Sequence, residues 1–176
     1  VVKAIAYAVD NGANILSNSW GGGGFSQARF DAIEYAKSKN VLFVSSAGNS
    51  TEDTDVRPHF PSGFENENNI TVASIDISGK LSWFSNWGLR TIDIAAPGQA
   101  ILSTTPTGKY EVMSGTSMAT PYVTGAAALV LAANPGIGYA EIKRRLMEYS
   151  RPLPGLQGKI VTGGMLDVYA SMVGSR

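Results

Sequence analysis

The chain has 176 residues, enough for one domain with a buried core, and its 14 Lys and Arg are balanced by 14 Asp and Glu. This balance gives no electrostatic basis for binding nucleic acid or an anionic membrane, so neither is expected as a partner. The absence of cysteine excludes disulfides and thiolate metal sites, and the 20 glycines indicate many tight turns.

The first half of the chain reads as helices alternating with short apolar strands. Apolar residues at helical spacing predict a helix over 1–11 and another over 27–39, the second capped by Ser26. A short strand is predicted over 14–19, and continuous apolar runs predict buried strands over 41–45, 70–74 and 92–95. The polar connection 50–69 has a length typical of functional or mobile loops.

The second half predicts a hairpin, a long apolar helix and two shorter helices. The hairpin pairs 101–105 with 110–113 around Thr107-Gly108, and the later helices span about 139–149 and 165–173. Strands that alternate with helices predict an α/β fold of three layers, with a mainly parallel sheet between helices. No domain boundary is evident within 1–176.

Ser117 stands where the long apolar helix is expected to begin. Pro121 clashes with the carbonyl four residues earlier, which belongs to Ser117, so the helix should start at about that residue. Its hydroxyl would then lie beside unpaired backbone N–H groups at the positive end of the helix dipole. From Gly125 onward the helix is apolar all round, which predicts burial and leaves only the first turn at the surface. Such a serine is either a nucleophile or an ordinary helix cap.

Two hydrolase motifs fail at this serine. The esterase elbow G-x-S-x-G has Ala119 in place of its second glycine, and the S-x-x-K motif has Thr120 in place of its lysine. The segment closely resembles instead the serine motif of the subtilisin-like proteases, or subtilases, in the stretch Gly115-Thr116-Ser117-Met118-Ala119-Thr120-Pro121-Tyr122-Val123. The resemblance extends over essentially all of 1–176 and implies a subtilisin-like fold and serine endopeptidase activity on proteins or peptides.

The resemblance also implies a substrate groove. Asn49, in an Ala-Gly-Asn that follows a strand, matches the position that supplies the side-chain donor of the oxyanion hole in that family. Backbone contacts to substrate would come from one wall formed by Ser19, Trp20 and Gly21, and from a second formed by Ser46, Ala47 and Gly48. Trp20 is equally well explained as a packed core aromatic. Nucleotide binding at the glycine run 21–24 is disfavoured, because Ser26 stands where the third glycine of that fingerprint belongs.

The sequence offers no general base at the position expected for the family. His59 is the single histidine, and its Pro-His-Phe-Pro context matches the region near the floor of the specificity pocket. It is expected to be a loop residue, or to line that floor and favour acidic or polar side chains when protonated. The resemblance therefore implies that 1–176 is the C-terminal part of a catalytic domain, whose Asp and His lie in a preceding segment. Without them, this chain alone is expected to be inactive.

The family resemblance carries two further expectations. Subtilases commonly bind structural calcium, and Asp76 follows the strand that matches one of the weaker family sites; an ordinary turn aspartate is the alternative. An extracellular location is implied by the family alone, since a lack of cysteine does not identify a compartment. The alternative function is a non-catalytic, subtilase-like domain that keeps the groove as a peptide-binding module.

Overall fold

A six-stranded sheet runs through the centre of the computed structural model, which describes residues 1–175. Its strands lie in the order β1-β2-β3-β4-β8-β7, and every neighbouring pair is parallel except β8 and β7. The strands are β1 (Ile15–Asn18), β2 (Leu42–Ser46), β3 (Asn69–Ile75), β4 (Ile94–Pro97), β7 (Arg151–Pro152) and β8 (Gly164–Met165), and β5 (Ile101–Thr104) with β6 (Tyr110–Met113) forms a separate hairpin. The helices are α1 (Val2–Asp10), α2 (Gln27–Ser38), α3 (Thr116–Ala133), α4 (Tyr139–Glu148) and α5 (Val168–Val173).

Alternate residues of β2 point into two different cores. Leu42 and Val44 join a cluster with the inner faces of α3 and α4, whereas Phe43 joins a cluster with α1 and α2. Every residue of β2 and β3 is buried, as continuous apolar strands covered on both faces require. The predicted α/β fold, with a mainly parallel sheet between helices, is confirmed.

The predicted elements are present, and their ends differ from the prediction by at most three residues. Ser26 caps α2 as expected, by accepting a hydrogen bond from the backbone N–H of Arg29. The strands β7 and β8 were not predicted, because each has only two residues and lies in a stretch rich in Pro and Gly. They also shorten the last helix, which begins at Val168 rather than near 165.

The expectation that α3 is buried all round is wrong for this chain. Its inner face packs on four strands, but Tyr122 is 45% exposed and Leu129 is 49% exposed on its outer side. The reason is that α3 covers one face of the sheet up to the edge strand β1, and no layer of residues 1–175 covers that side of the helix. By length and composition α3 could cross a membrane, but core helices of water-soluble proteins meet the same criterion.

The parallel arrangement brings several strand ends to one edge of the sheet. Ser19 follows β1, Asn49 follows β2, and the chain after β4 passes through the hairpin to the start of α3. The backbone N–H of Gly115 donates to the carbonyl of Gly98 over 2.8 Å and fixes that start. A side chain at Gly98 would lie 2.5 Å from Ser74 Oγ and 2.7 Å from the Gly115 carbonyl, so this close approach requires glycine.

Candidate active site

Ser117 lies in the first turn of α3 and is tied to Ser19 by two reciprocal hydrogen bonds. The Ser117 hydroxyl donates to the Ser19 carbonyl over 3.2 Å, and the Ser19 hydroxyl donates to the Ser117 carbonyl over 2.9 Å. Within residues 1–175 the backbone N–H of Ser117 has no acceptor, as expected for the first turn of a helix. The serine therefore presents a hydroxyl and a free N–H at the surface.

Pro121 explains why the Ser117 carbonyl is available to Ser19. In a regular helix that carbonyl would accept from the N–H four residues later, but proline has no N–H. The proline thus lies inside α3 without leaving an unpaired acceptor, because Ser19 supplies the missing donor. The bond joins the start of α3 to the segment that follows β1.

Thr116 orients the side chain of Asn49. The Asn49 Oδ1 accepts from the backbone N–H of Thr116 over 2.9 Å and from its hydroxyl over 3.0 Å. The same hydroxyl accepts from the backbone N–H of Gly48 over 3.2 Å, and Thr116 is fully buried. Because its oxygen is already engaged twice, Asn49 directs its amino group away from Thr116. No acceptor in the described part of the chain binds that amino group.

Two nitrogen donors that have no acceptor among the described residues lie near Gly115. The position that a Gly115 Cβ would occupy is 3.6 Å from Asn49 Nδ2 and 3.6 Å from the backbone nitrogen of Ser117. Two N–H donors close to one another at a helix N-terminus can stabilise an oxygen that becomes negatively charged, provided that both point at it. Ser117 and Asn49, identified separately in the sequence, are thus adjacent in space.

Asn86 organises the loop that carries Asn49 and was not identified from the sequence. Its Nδ2 donates to the carbonyl of Ala47, and its Oδ1 accepts from the backbone N–H groups of Ser50 and Glu52. Its own N–H donates to the carbonyl of Gly48, so the buried side chain braces the turn on both sides. Asn86 is 39 residues from Ala47 in the chain, and no local pattern marks it.

His59 lies close to one glycine of each predicted groove wall. Ser46, Ala47 and Gly48 are buried, and Gly48 has a φ of +99°, which favours glycine. A Cβ at Gly21 would lie 2.3 Å from His59 Cε1, and one at Gly48 would lie 3.0 Å from His59 Nε2. Burial of the His59 ring lowers its pKa, whereas the Glu52 carboxylate acts to raise it.

The side chain of Trp20 has a packing role. Its ring lies edge-on to Phe43 with centroids 6.3 Å apart, and its indole N–H donates to the side chain of Asn18. It packs against the cluster formed with α1 and α2, in agreement with the core interpretation.

Three aspartates, Asp10, Asp31 and Asp93, have hydrogen-bond partners away from Ser117. Asp10 accepts from the Tyr35 hydroxyl, and Asp31 accepts from Gln27. Asp93 precedes β4 at the opposite edge of the sheet, where burial raises its pKa and Lys143 acts to lower it. None of the three contacts Ser117, and within 1–175 the same is true of His59.

Asp76 lies in a tight turn. Its Oδ1 accepts from the N–H and hydroxyl of Ser78 and from the N–H of Lys80, and these hydrogen bonds lower its pKa. Asp76 lines a cavity with Gly79 and Leu153. No group of three or more acids or histidines that could hold a metal is present among the described residues.

Comparison with known proteins gives consistent matches across the chain. The model of the family described as "Subtilase family" matches residues 1–163. Thermitase of Thermoactinomyces vulgaris is 36% identical over 172 residues, which are 98% of this chain and 58% of thermitase. Subtilisin-like protease 2 of Plasmodium falciparum is 37% identical over 133 residues, which are 73% of this chain and 10% of that protein. A protease structure from Pseudoalteromonas arctica PAMC 21717 superposes with a TM-score of 0.87 at 29% identity, covering 99% of this chain and 58% of that one.

Proposed function

The chain belongs to the subtilase family of serine proteases, and on that premise we propose that it carries the nucleophile and the oxyanion hole of a serine endopeptidase. The chain spans 58% of thermitase, so the proposal concerns an activity that this part contributes to a larger site. The substrates would be proteins or peptides, in an extracellular setting. The observation that carries the proposal is the free amino group of Asn49, which Thr116 orients through the Asn49 oxygen and which lies near Gly115 together with the Ser117 nitrogen.

In the proposed reaction, Ser117 Oγ attacks the carbonyl carbon of the scissile peptide bond and loses its proton to a general base. The carbonyl π electrons move to the oxygen, which accepts hydrogen bonds from Asn49 Nδ2 and the Ser117 N–H. The intermediate collapses and expels the amine, which takes the proton from the protonated base, and an acyl-enzyme at Ser117 remains. Water activated by the same base then releases the acid and regenerates the serine.

We propose that the base comes from a segment outside 1–176. The Ser117 hydroxyl donates to a backbone carbonyl, which does not activate it as a nucleophile. A cavity of about 370 Å³ opens beside Ser117, lined by apolar residues of the hairpin and α3 such as Met113 and Tyr122. The edge of β1 is also unpaired within the described sheet. These open surfaces are consistent with a further segment of the catalytic domain that packs here and brings a base to the serine.

A fluorophosphonate probe tests the proposal. The protein would be the chain alone and a chimera in which the preceding part of the thermitase catalytic domain is joined ahead of Val1. We expect the chimera to be labelled and to cleave casein, the chain alone to react at least about a hundredfold more slowly, and Ser117→Ala to abolish labelling. Ser114→Ala is the matched control, since Ser114 is exposed and its hydroxyl accepts only from the N–H of Ala100.

The second candidate, a peptide-binding module, is favoured by the resting hydrogen bond of the Ser117 hydroxyl to Ser19. It predicts that the chimera stays unlabelled but binds extended peptides. Labelling that persists in Ser117→Ala would contradict both candidates, because the probe would then be reacting elsewhere.

A further inference from the structure

One edge of the His59 ring fills the space between the two glycine-bearing walls of the groove. A Cβ at Gly21 would lie 2.3 Å from Cε1 and 2.9 Å from Nε2, and a Cβ at Gly48 would lie 3.1 Å and 3.0 Å from the same two atoms. Real Cβ atoms essentially never approach other atoms as closely as 2.3 Å, so the ring occupies volume that a side chain at Gly21 would need. The imidazole edge thus lies close to both walls, and Asn86 Nδ2 also lies 2.5 Å from the Gly48 Cβ position.

The backbone around His59 is fixed by several hydrogen bonds. The N–H of Gly22 donates to the carbonyl of Phe60 over 2.8 Å, which ties the histidine loop to the first wall. The His59 carbonyl accepts from the N–H of Gly63 over 2.6 Å and from the Ser62 hydroxyl over 2.8 Å. The neighbouring Phe60 ring packs against Phe64, with centroids 4.7 Å apart. Displacement of the ring from the groove would therefore have to occur by rotation of the side chain alone.

Hydrogen bonding defines which ring nitrogen of His59 carries the proton. The Ser62 hydroxyl donates its one hydrogen to the His59 carbonyl. Its oxygen must therefore be the acceptor in the 3.0 Å hydrogen bond with His59 Nδ1. In the neutral ring Nδ1 is then the donor, and Nε2 carries an unshared pair that faces the space between Gly21 and Gly48. The end of the groove thus presents a hydrogen-bond acceptor.

Burial favours the neutral form of the His59 ring. Burial lowers the pKa of His59 and outweighs the Glu52 carboxylate, which acts in the opposite direction and is itself paired with Arg57 at 2.9 Å. Next to the first wall, the Arg29 side chain donates to the carbonyls of Gly22 and Gly24. Next to Gly48 of the second wall lies the side chain of Asn86, which carries no charge.

We propose that His59 restricts the residue on the acyl side of the scissile bond to short side chains, and that it favours those with a hydrogen-bond donor, such as serine and threonine. The inference rests on the proposed protease function, because it assigns a substrate class to the same groove. Both walls are next to the proposed catalytic residues, since Ser19 is hydrogen-bonded to Ser117 and Gly48 precedes Asn49 in the chain. A long aliphatic or aromatic side chain that enters between them meets the imidazole edge, and could be accommodated only by breaking the contact of His59 with Ser62.

Cleavage of a peptide series by the chimera tests this assignment. Five p-nitroanilide tetrapeptides would differ only in the residue before the anilide, which is Ala, Ser, Leu, Phe or Lys. We expect kcat/KM to be at least about tenfold higher for Ser and Ala than for Leu and Phe. His59→Ala should raise the Leu and Phe values at least about tenfold, whereas His59→Phe should keep the discrimination against them and lose the preference of Ser over Ala. The same order of preference in His59→Ala as in the parent would overturn the proposal.

A binding measurement on the chain itself separates this inference from the protease proposal. His59 is the only histidine, so its imidazole Cε1–H gives a single identifiable NMR signal. Product peptides that end in Pro-Ser or Pro-Phe, each with a free carboxylate, would be titrated into the chain. We expect the Ser peptide to shift the signal and to bind at least about tenfold more tightly than the Phe peptide. If neither peptide shifts the signal, or if the Phe peptide binds more tightly than the Ser peptide, the role of His59 is contradicted even when the chimera has no activity. If the shifts are as expected but the chimera is not labelled, only the protease function is contradicted.

Discussion

Replacement of Thr116 by valine should destabilise the chain far more than the same replacement one turn later in the helix. Valine has nearly the shape of threonine, so Thr116→Val opens no cavity but removes the hydroxyl that joins Gly48 to Asn49. Two hydrogen bonds are lost, each worth about 1 kcal/mol, and the buried N–H of Gly48 is left unpaired at a cost of about 1–3 kcal/mol. The free energy of unfolding should therefore fall by about 3–5 kcal/mol, which corresponds to a midpoint lower by about 6–20 °C for a chain of this size.

Thr120→Val is the matched control for that change. Thr120 is equally buried, lies in the same helix, and uses its hydroxyl only to donate to the Thr116 carbonyl. Its loss leaves no donor unpaired, so the free energy of unfolding should fall by about 1 kcal/mol or less. Both variants would be followed by urea unfolding with circular dichroism detection, alongside Thr116→Ser, which keeps the hydroxyl. Equal effects of Thr116→Val and Thr120→Val would refute the idea that the Thr116 hydroxyl braces Gly48 and Asn49.

Three further predictions concern the groove and the turn at Asp76. Gly21→Ala should lower the thermal midpoint because of its 2.3 Å conflict with His59, and the loss should largely disappear when His59→Ala is present; additive effects would contradict the contact. Because burial lowers the pKa of His59, the unfolded chain takes up its proton first as the pH falls below about 6.5, and stability present above that pH should be progressively lost. Urea unfolding should show a steeper decline from pH 7 to pH 5 in the parent than in His59→Gln; parallel declines would argue against this assignment. We propose from the family that Asp76 ligates calcium, so calcium should raise the thermal midpoint of the parent. It should not raise the midpoint of Asp76→Asn, whose amide oxygen can still accept the hydrogen bonds of the turn. A parent whose midpoint does not change with calcium would contradict the proposal.

The sequence predicted those parts of the fold that depend on local patterns. Continuous apolar runs and helical spacing identified β2, β3, α1 and α2, since burial on both faces or on one face leaves its period in the sequence. The strands β7 and β8 depend instead on a pairing such as Arg151 with Met165, which tertiary packing imposes on segments too short to show a period. The exposed outer side of α3 was not predicted for a related reason, because composition does not reveal how many layers cover a helix.

In the candidate site too, the residues within local motifs could be predicted, whereas the contacts between distant segments could not. Ser117 and Asn49 were identified because each lies in a continuous motif, and the expected position of the helix start follows from Pro121. The supporting contacts could not be predicted. Asn86 braces a loop 39 residues away, and the bonds between Ser19 and Ser117 span 98 residues. Such contacts are determined by how the strand ends meet at one edge of the sheet, and this is a property of the whole fold.

The convergence of Ser117 and Asn49 is tested most directly by a crystal structure of the chimera with a peptide boronic acid, which forms a tetrahedral adduct with an active serine. The account predicts a covalent bond from Ser117 Oγ to boron, and one boronate oxygen at about 2.7–3.1 Å from both Asn49 Nδ2 and the Ser117 nitrogen. An adduct whose oxygens all lie beyond hydrogen-bonding distance of Asn49, or an Asn49 side chain turned toward a protein acceptor, would contradict it.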